Sequence, residues 1–171
     1  KPPKPGKVRR TDYEYERKGT ANIFVCVEPK AGKRVTRVTK HRTARDTAQF
    51  LHHVVMDVYE EAEKVHITAD NLNTHVNKVL LERYGEEEGQ AVCDRIVWHR
   101  TPKHASWLNA AEIEISVLSR RTLRRRVGSF QELQSRVAAC ERRRNRERAT
   151  IDWRFTREKA REKFHLPLPG N

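Results

Sequence analysis

Apolar residues recur along this chain in short bursts, and the spacing within each burst sets the element it predicts. Ala21-Asn22-Ile23-Phe24-Val25-Cys26-Val27 and Arg34-Val35-Thr36-Arg37-Val38-Thr39 are rich in strand-forming residues. They flank the turn-forming Glu28-Pro29-Lys30-Ala31-Gly32, which predicts a hairpin. Ala48, Leu51, Val54, Val55 and Val58 then return at helical spacing behind Thr43 and Asp46, a pair placed much like a capping box. Val65-His66-Ile67-Thr68-Ala69 is a short buried strand ending at Asp70. A helix is expected from about Thr74 to Tyr84, and Glu86-Glu87-Glu88 opens a further short one, since carboxylates suit a first helical turn. Arg95-Ile96-Val97-Trp98-His99 is the fourth strand.

Thr101 to Leu108 reads as a loop into a long helix that starts near Asn109 and is ended by Gly128, with Ala111, Ile115, Leu118 and Thr122 as its packing stripe. Ser129 with Glu132 starts the next helix, whose inner face is Phe130, Leu133, Val137 and Cys140. Thr156 caps a last short helix. The order β–β–α–β–α–(α)–β–α–α–α predicts an α/β fold, a mixed sheet covered by helices. Four strands leave that sheet incomplete on one side. The divisions are an extended arm over 1–20, a core over 21–127, and a C-terminal helical extension of the same domain over 128–171.

Charge changes the picture because of where it lies. The 171 residues carry a formal net charge of +13. Residues 19–119 hold 13 basic and 14 acidic groups, whereas 120–148 hold 11 and 3, and all eleven of those basic residues are arginine. Arginine forks onto phosphate in two parallel hydrogen bonds, which lysine does not do. A salt-bridged, solvated helix is the plainer reading of a charge run, but three acids cannot pair eleven arginines. DNA backbone contact is therefore expected at Arg120, Arg121, Arg124, Arg125, Arg126, Arg142, Arg143 and Arg144, with affinity that falls steeply as salt rises. Cys26, Cys93 and Cys140 are widely spaced and odd in number. They form neither a disulfide framework nor a paired-cysteine metal motif, which fits a reducing, cytoplasmic compartment. No apolar run is long enough for a membrane span, and no membrane partner is expected.

Two segments are candidates for chemistry. Asp70 follows a strand, where sites collect in open α/β sheets, although an Asp there is often only a turn former. Glu112 stands three residues after Asn109, at the start of a helix, where the plain reading is a capping-box glutamate. Glu114 is rotated from it by roughly 200°, so the two cannot easily share one metal. Phosphodiester chemistry by paired hard cations needs carboxylates of this kind. Asp12, in the arm, is a third carboxylate to consider.

The segments Asp12-Tyr13-Glu14-Tyr15-Glu16-Arg17-Lys18-Gly19-Thr20, Asp70-Asn71-Leu72-Asn73-Thr74-His75, Thr101-Pro102-Lys103-His104-Ala105-Ser106-Trp107-Leu108-Asn109-Ala110-Ala111-Glu112 and Ile151-Asp152-Trp153-Arg154-Phe155 resemble bacterial insertion-sequence transposases of the mariner superfamily. The likeness covers nearly the whole chain in the same order. Its spacing of 41 residues between Asp70 and Glu112 is a little longer than is usual in that family, with Glu86–Gly89 as an acidic insertion. The resemblance implies a ribonuclease-H-like fold in which two Asp and one Glu hold two Mg2+ or Mn2+ ions for DNA cleavage and strand transfer. Asp70 matches the second Asp and Glu112 the final Glu.

The first Asp lies upstream of Asp12 in the family, on a first strand that precedes this sequence. The chain is thus expected to be the C-terminal part of a transposase, inactive by itself if that Asp is essential. The alternative is a truncated or domesticated remnant that binds DNA without cutting it. By the same resemblance Asn71, His75, Lys103, His104 and Asn109 support the carboxylates or touch phosphate, the partners are transposon-end and target DNA, and a homodimer forms in the synaptic complex. The plainer readings stay beside these: helix caps for Asn71 and Asn109, surface residues for His75 and His104. Trp107 and Trp153 read as packing residues, and His52-His53 as a surface pair.

Overall fold

The structure is a computed structural model that describes residues 19–69, 76–101, 109–152, 154, 159, 161 and 162. Strand β1, Asn22–Glu28, pairs antiparallel with β2, Lys33–Thr39, in the register Asn22↔Thr39 to Glu28↔Lys33. The hairpin turn closes through Gly32 N–H donating to the Glu28 carbonyl at 2.9 Å. Gly32 has φ +66, and a Cβ there would meet the Arg148 carbonyl carbon at 2.5 Å. The turn thus demands glycine twice, for its left-handed backbone and for the close approach of another chain segment.

Helix α1, Ala44–His52, begins with the expected capping box. Asp46 N–H donates to Thr43 Oγ1 at 3.1 Å, and Thr43 N–H donates to Asp46 Oδ2 at 2.9 Å. The hydrogen bonds from Thr43 hold the Asp46 carboxyl below its ordinary range. A depressed carboxyl stabilises the fold above its unfolded-state pKa, and that contribution is lost as pH falls through the folded-state value. Thr43→Ala is therefore expected to cost about 1 kcal/mol at neutral pH. The gap from wild type should narrow in acid, as read by urea denaturation at a series of pH values.

From His53 to Val58 the helix widens into a π-helix. Periodicity alone predicted an uninterrupted α-helix here. Val55 joins Ala48 and Leu51 in one apolar cluster, while Val54 joins Phe50 in another. The wider turn lets two adjacent valines serve clusters on two sides. The first cluster adds Val76, Leu80, Val92 and Ile96, and the second adds Val35 with Phe24 and Cys26 against it. This one helical segment bridges the hairpin to the second pair of strands. Arg95 locks the chain that follows it, donating from Nε to the Ala62 carbonyl at 3.1 Å and from its terminal nitrogen to the Tyr59 carbonyl at 2.5 Å.

That second pair is β3, Val65–Ala69, parallel to β4, Ile96–Arg100. The crossover between them is α2, Val76–Arg95, which is two helices meeting at Gly85 (φ 80, ψ 176), as the break between Tyr84 and the acidic run suggested. Helix α3, Ala111–Thr122, and helix α4, Phe130–Arg146, then pack on each other and on the hairpin. Where one mixed sheet was expected, the described residues form two separate two-stranded sheets, β1-β2 and β3-β4, within a mixed α/β arrangement.

Helix α3 departs from expectation in two ways. It ends at Thr122 rather than at Gly128, and Arg136 takes the carbonyls of Thr122 and Arg125 at 3.1 Å each. Its buried stripe is Glu114, Leu118 and Thr122, and Ile115 is 46% exposed. A charged residue has displaced an isoleucine from the inner face, and the partners of that charge explain how.

Candidate functional site

Glu114 is 1% exposed and sits between two guanidinium groups. Arg144 on α4 grips it in a fork, Nε to Oε1 at 2.7 Å and a terminal nitrogen to Oε2 at 2.8 Å. Arg34 on β2, itself 2% exposed, brings its Nε to 2.9 Å from Oε2, at ion-pair distance but not aligned as a hydrogen bond. The other Arg34 nitrogens donate to the carbonyls of Gly32, at 2.6 Å, and Ala149. Asn145 ties the same strand to α4, accepting from Arg34 N–H and donating to the Arg34 carbonyl, each at 2.8 Å. Glu141 accepts from the backbone N–H of Thr36 at 2.9 Å and from its hydroxyl. The rotation of α3 about its own axis is thereby fixed.

Fixing Glu114 inward turns Glu112 outward, since two helical steps separate them by roughly 200°. Glu112 is exposed in the first turn of α3, and no side-chain partner holds its carboxylate among the described residues. That turn is built by Asn109, whose Oδ1 accepts from Ala111 N–H at 3.0 Å and whose carbonyl accepts from Glu112 N–H at 3.1 Å. Asn109 is thus a turn-closing residue, and no capping box forms through Glu112.

The parallel pair runs up to the other segments of the expected site. Thr101 N–H donates to the Ala69 carbonyl at 3.0 Å, extending the β3-β4 ladder one step past the last strand residue. The main chain is therefore anchored immediately before Asp70 and immediately before the 102–108 segment. Asp12, Asp70, Asn71, His75, Lys103, His104, Trp107, Trp153 and Thr156 themselves lie outside the described residues. Among the described residues no group of three or more His, Cys, Asp and Glu side chains converges on a point that would hold a metal ion. Of the two carboxylates matched to the expected site only Glu112 is described, and a carboxylate that is exposed and without a side-chain partner among the described residues could serve as a hard oxygen donor.

Of the arginines expected on DNA, Arg120, Arg121, Arg124, Arg125, Arg126, Arg142 and Arg143 are exposed. Arg143 also pairs with Glu147 at 2.8 Å, and that hydrogen bond pulls the Glu147 carboxyl below its ordinary range. Arg144 is the correction. It is 9% exposed and committed to Glu114, so its guanidinium does not reach a phosphate backbone. Arg136 is likewise occupied with backbone carbonyls and with Glu132 at 2.5 Å. By fastening 122–126 it presents the arginines of that turn on the outside.

All three thiols are held above their ordinary range. Burial pushes the Cys26 thiol up to about 11, and desolvation also raises Cys93 and Cys140. His52 and His53 do not act together: His52 hydrogen-bonds to Glu88 and stacks on Tyr84, and His53 hydrogen-bonds to Asp57, both at 2.7 Å. A histidine pair that sequence reading missed, His66 with His99, joins β3 to β4 at 2.8 Å. Its only signal was a histidine at an alternating position in each strand, and the register that unites them is not written in the sequence.

No helix among the described residues is long and apolar enough to cross a membrane. No curated protein and no solved structure matches the chain. The model of one family, DDE superfamily endonuclease, matches residues 2–134 of the 171, and with well over half of its length covered the chain belongs to that family.

Proposed function

We propose that this chain is the catalytic domain of a DDE-type transposase of the mariner superfamily, acting in the transposition of a bacterial insertion sequence. Family membership places it among transposase-type nucleases and implies DNA as substrate. The observation that carries the finer reading is Glu112: an exposed carboxylate at the head of α3 with no side-chain partner among the described residues, turned outward by a buried neighbour two residues on. In this reading Asp70 and Glu112 hold Mg2+ or Mn2+, with a further Asp completing a ribonuclease-H-like site. Such ions, when bound, activate the attacking oxygen and stabilise the leaving oxygen of a phosphodiester. Glu112 supplies anionic oxygen at a helix N-terminus whose dipole favours negative charge. Asn109 closes the turn that presents it, and the exposed arginines of the 120–126 segment and of α4 take the DNA backbone, without sequence preference. Asn71, His75, Lys103 and His104 support the carboxylates or touch phosphate. Two copies act together on transposon ends and target in the cytoplasm.

The test is nicking of supercoiled DNA by this chain, alone and extended upstream, in Mn2+ with and without chelator. Cleavage that needs the metal supports the reading. Binding to DNA without cleavage by either form favours a non-catalytic remnant, and neither binding nor cleavage overturns both.

A further inference from the structure

The sheet β3-β4 has two unlike faces. In a strand successive side chains point to opposite sides, and in a parallel pair opposed residues share a side. Val65, Ile67 and Trp98, with Ile96, turn to the apolar cluster against α1 and α2. His66, Thr68, Val97 and His99 occupy the other face, where His66, Thr68 and His99 are exposed. His66 opposes Val97 and Thr68 opposes His99, so the two histidines stand diagonally across the pair. Their rings stack with centroids 5.1 Å apart and planes 23° apart, and His66 Nδ1 lies 2.8 Å from His99 Nε2. No carboxylate among the described residues takes either ring, unlike His52 and His53, each of which has one.

An exposed hydrogen bond between two imidazole rings competes with water and adds little to stability. What the pairing does provide is two imidazole nitrogens already brought together on rigid backbone. First-row transition ions bind imidazole nitrogen at about 2.0–2.1 Å. Two such nitrogens in cis positions of an octahedral or square-planar ion stand about 3.0 Å apart, against about 3.4 Å in a tetrahedron. The observed 2.8 Å is nearer the cis arrangement. We propose that His66 and His99 form a two-point chelate for a divalent transition ion that accepts cis imidazoles, such as Ni2+ or Cu2+, with water in the remaining positions. The donors exclude Mg2+, which takes oxygen ligands. This site is separate in ligand chemistry and in residues from the carboxylate site, and it stands whether or not that site is catalytic. Occupancy cross-links the two strands from which the Asp70 and 102–112 segments depart.

Titration calorimetry with Ni2+ on the full chain tests this, with His66→Gln and His99→Gln as exposed, fold-neutral variants. One ion per chain is expected, with affinity unaffected by excess Mg2+. Either variant should lose about tenfold or more, because the second nitrogen no longer binds at high effective concentration. Cu2+ bound to the wild type should show two coordinated nitrogens by electron paramagnetic resonance, and one in each variant. Wild-type Ni2+ affinity in both variants, displacement by Mg2+, or an unchanged nitrogen pattern overturns the proposal.

Discussion

Replacing Glu114 with glutamine lowers the free energy of unfolding by about 3–5 kcal/mol. The size of the effect follows from what is left behind. Arg34 and Arg144 are 2% and 9% exposed, and the carboxylate between them is the only anionic side chain that either one meets among the described ion pairs. Glutamine preserves the shape of the side chain but not its charge, so two guanidinium groups remain buried beside a neutral amide. Desolvating a cation costs several kcal/mol when nothing compensates it. Loss of the pairing also frees α3 from β2 and α4, the elements that the triad joins. Urea denaturation followed by circular dichroism measures the change, and a variant within about 1 kcal/mol of wild type contradicts the account. A triple replacement, Arg34→Met with Glu114→Leu and Arg144→Leu, should recover most of the loss, since well-packed apolar groups often substitute for a buried ion triad.

What the sequence disclosed and what it hid divide along a physical line. The hairpin, the Thr43 cap, the Ser129 cap and the Gly85 break were legible because each is set by residues within a few positions of one another. Glu114 was not. A glutamate on a polar helix reads as solvated, and the arginines that bury it come from a strand and a helix far away in sequence. For the same reason, including Arg144 among the eight arginines expected on DNA overcounted. Composition records eleven charges but not that Arg144 and Arg136 are used inside the protein. Arg136 also holds the carbonyl at the early end of α3, where the local glycine signal at Gly128 pointed six residues too far. The π-helix and the His66–His99 pair are hidden alike, one in the competition between two apolar clusters and the other in strand register. The motif singled out Glu112 as a candidate, and its outward direction is a consequence of Glu114.

Two positions upstream of Glu114, the same substitution has the opposite outcome: Glu112→Gln leaves the protein as stable as before and abolishes metal-dependent nicking. Glu112 is exposed and holds no side-chain partner among the described residues, so its folded-state role is confined to the favourable charge at a helix N-terminus. That term is worth less than about 1 kcal/mol. Glutamine keeps the length and volume of the side chain but offers no anionic oxygen to a hard cation. If Glu112 holds one of the ions, its loss removes several kcal/mol of transition-state charge stabilisation. At roughly 1.36 kcal/mol per decade this is a fall of about a hundredfold or more in rate. The comparison is made on the form that nicks in Mn2+, with unfolding curves run beside the cleavage assay. Wild-type nicking by Glu112→Gln removes this residue from the chemistry. Lost nicking with a large drop in stability would instead make Glu112 structural. An unchanged unfolding curve with nicking at the chelated background assigns Glu112 to the metal and Glu114 to the fold, two carboxylates of one helix separated by the direction each faces.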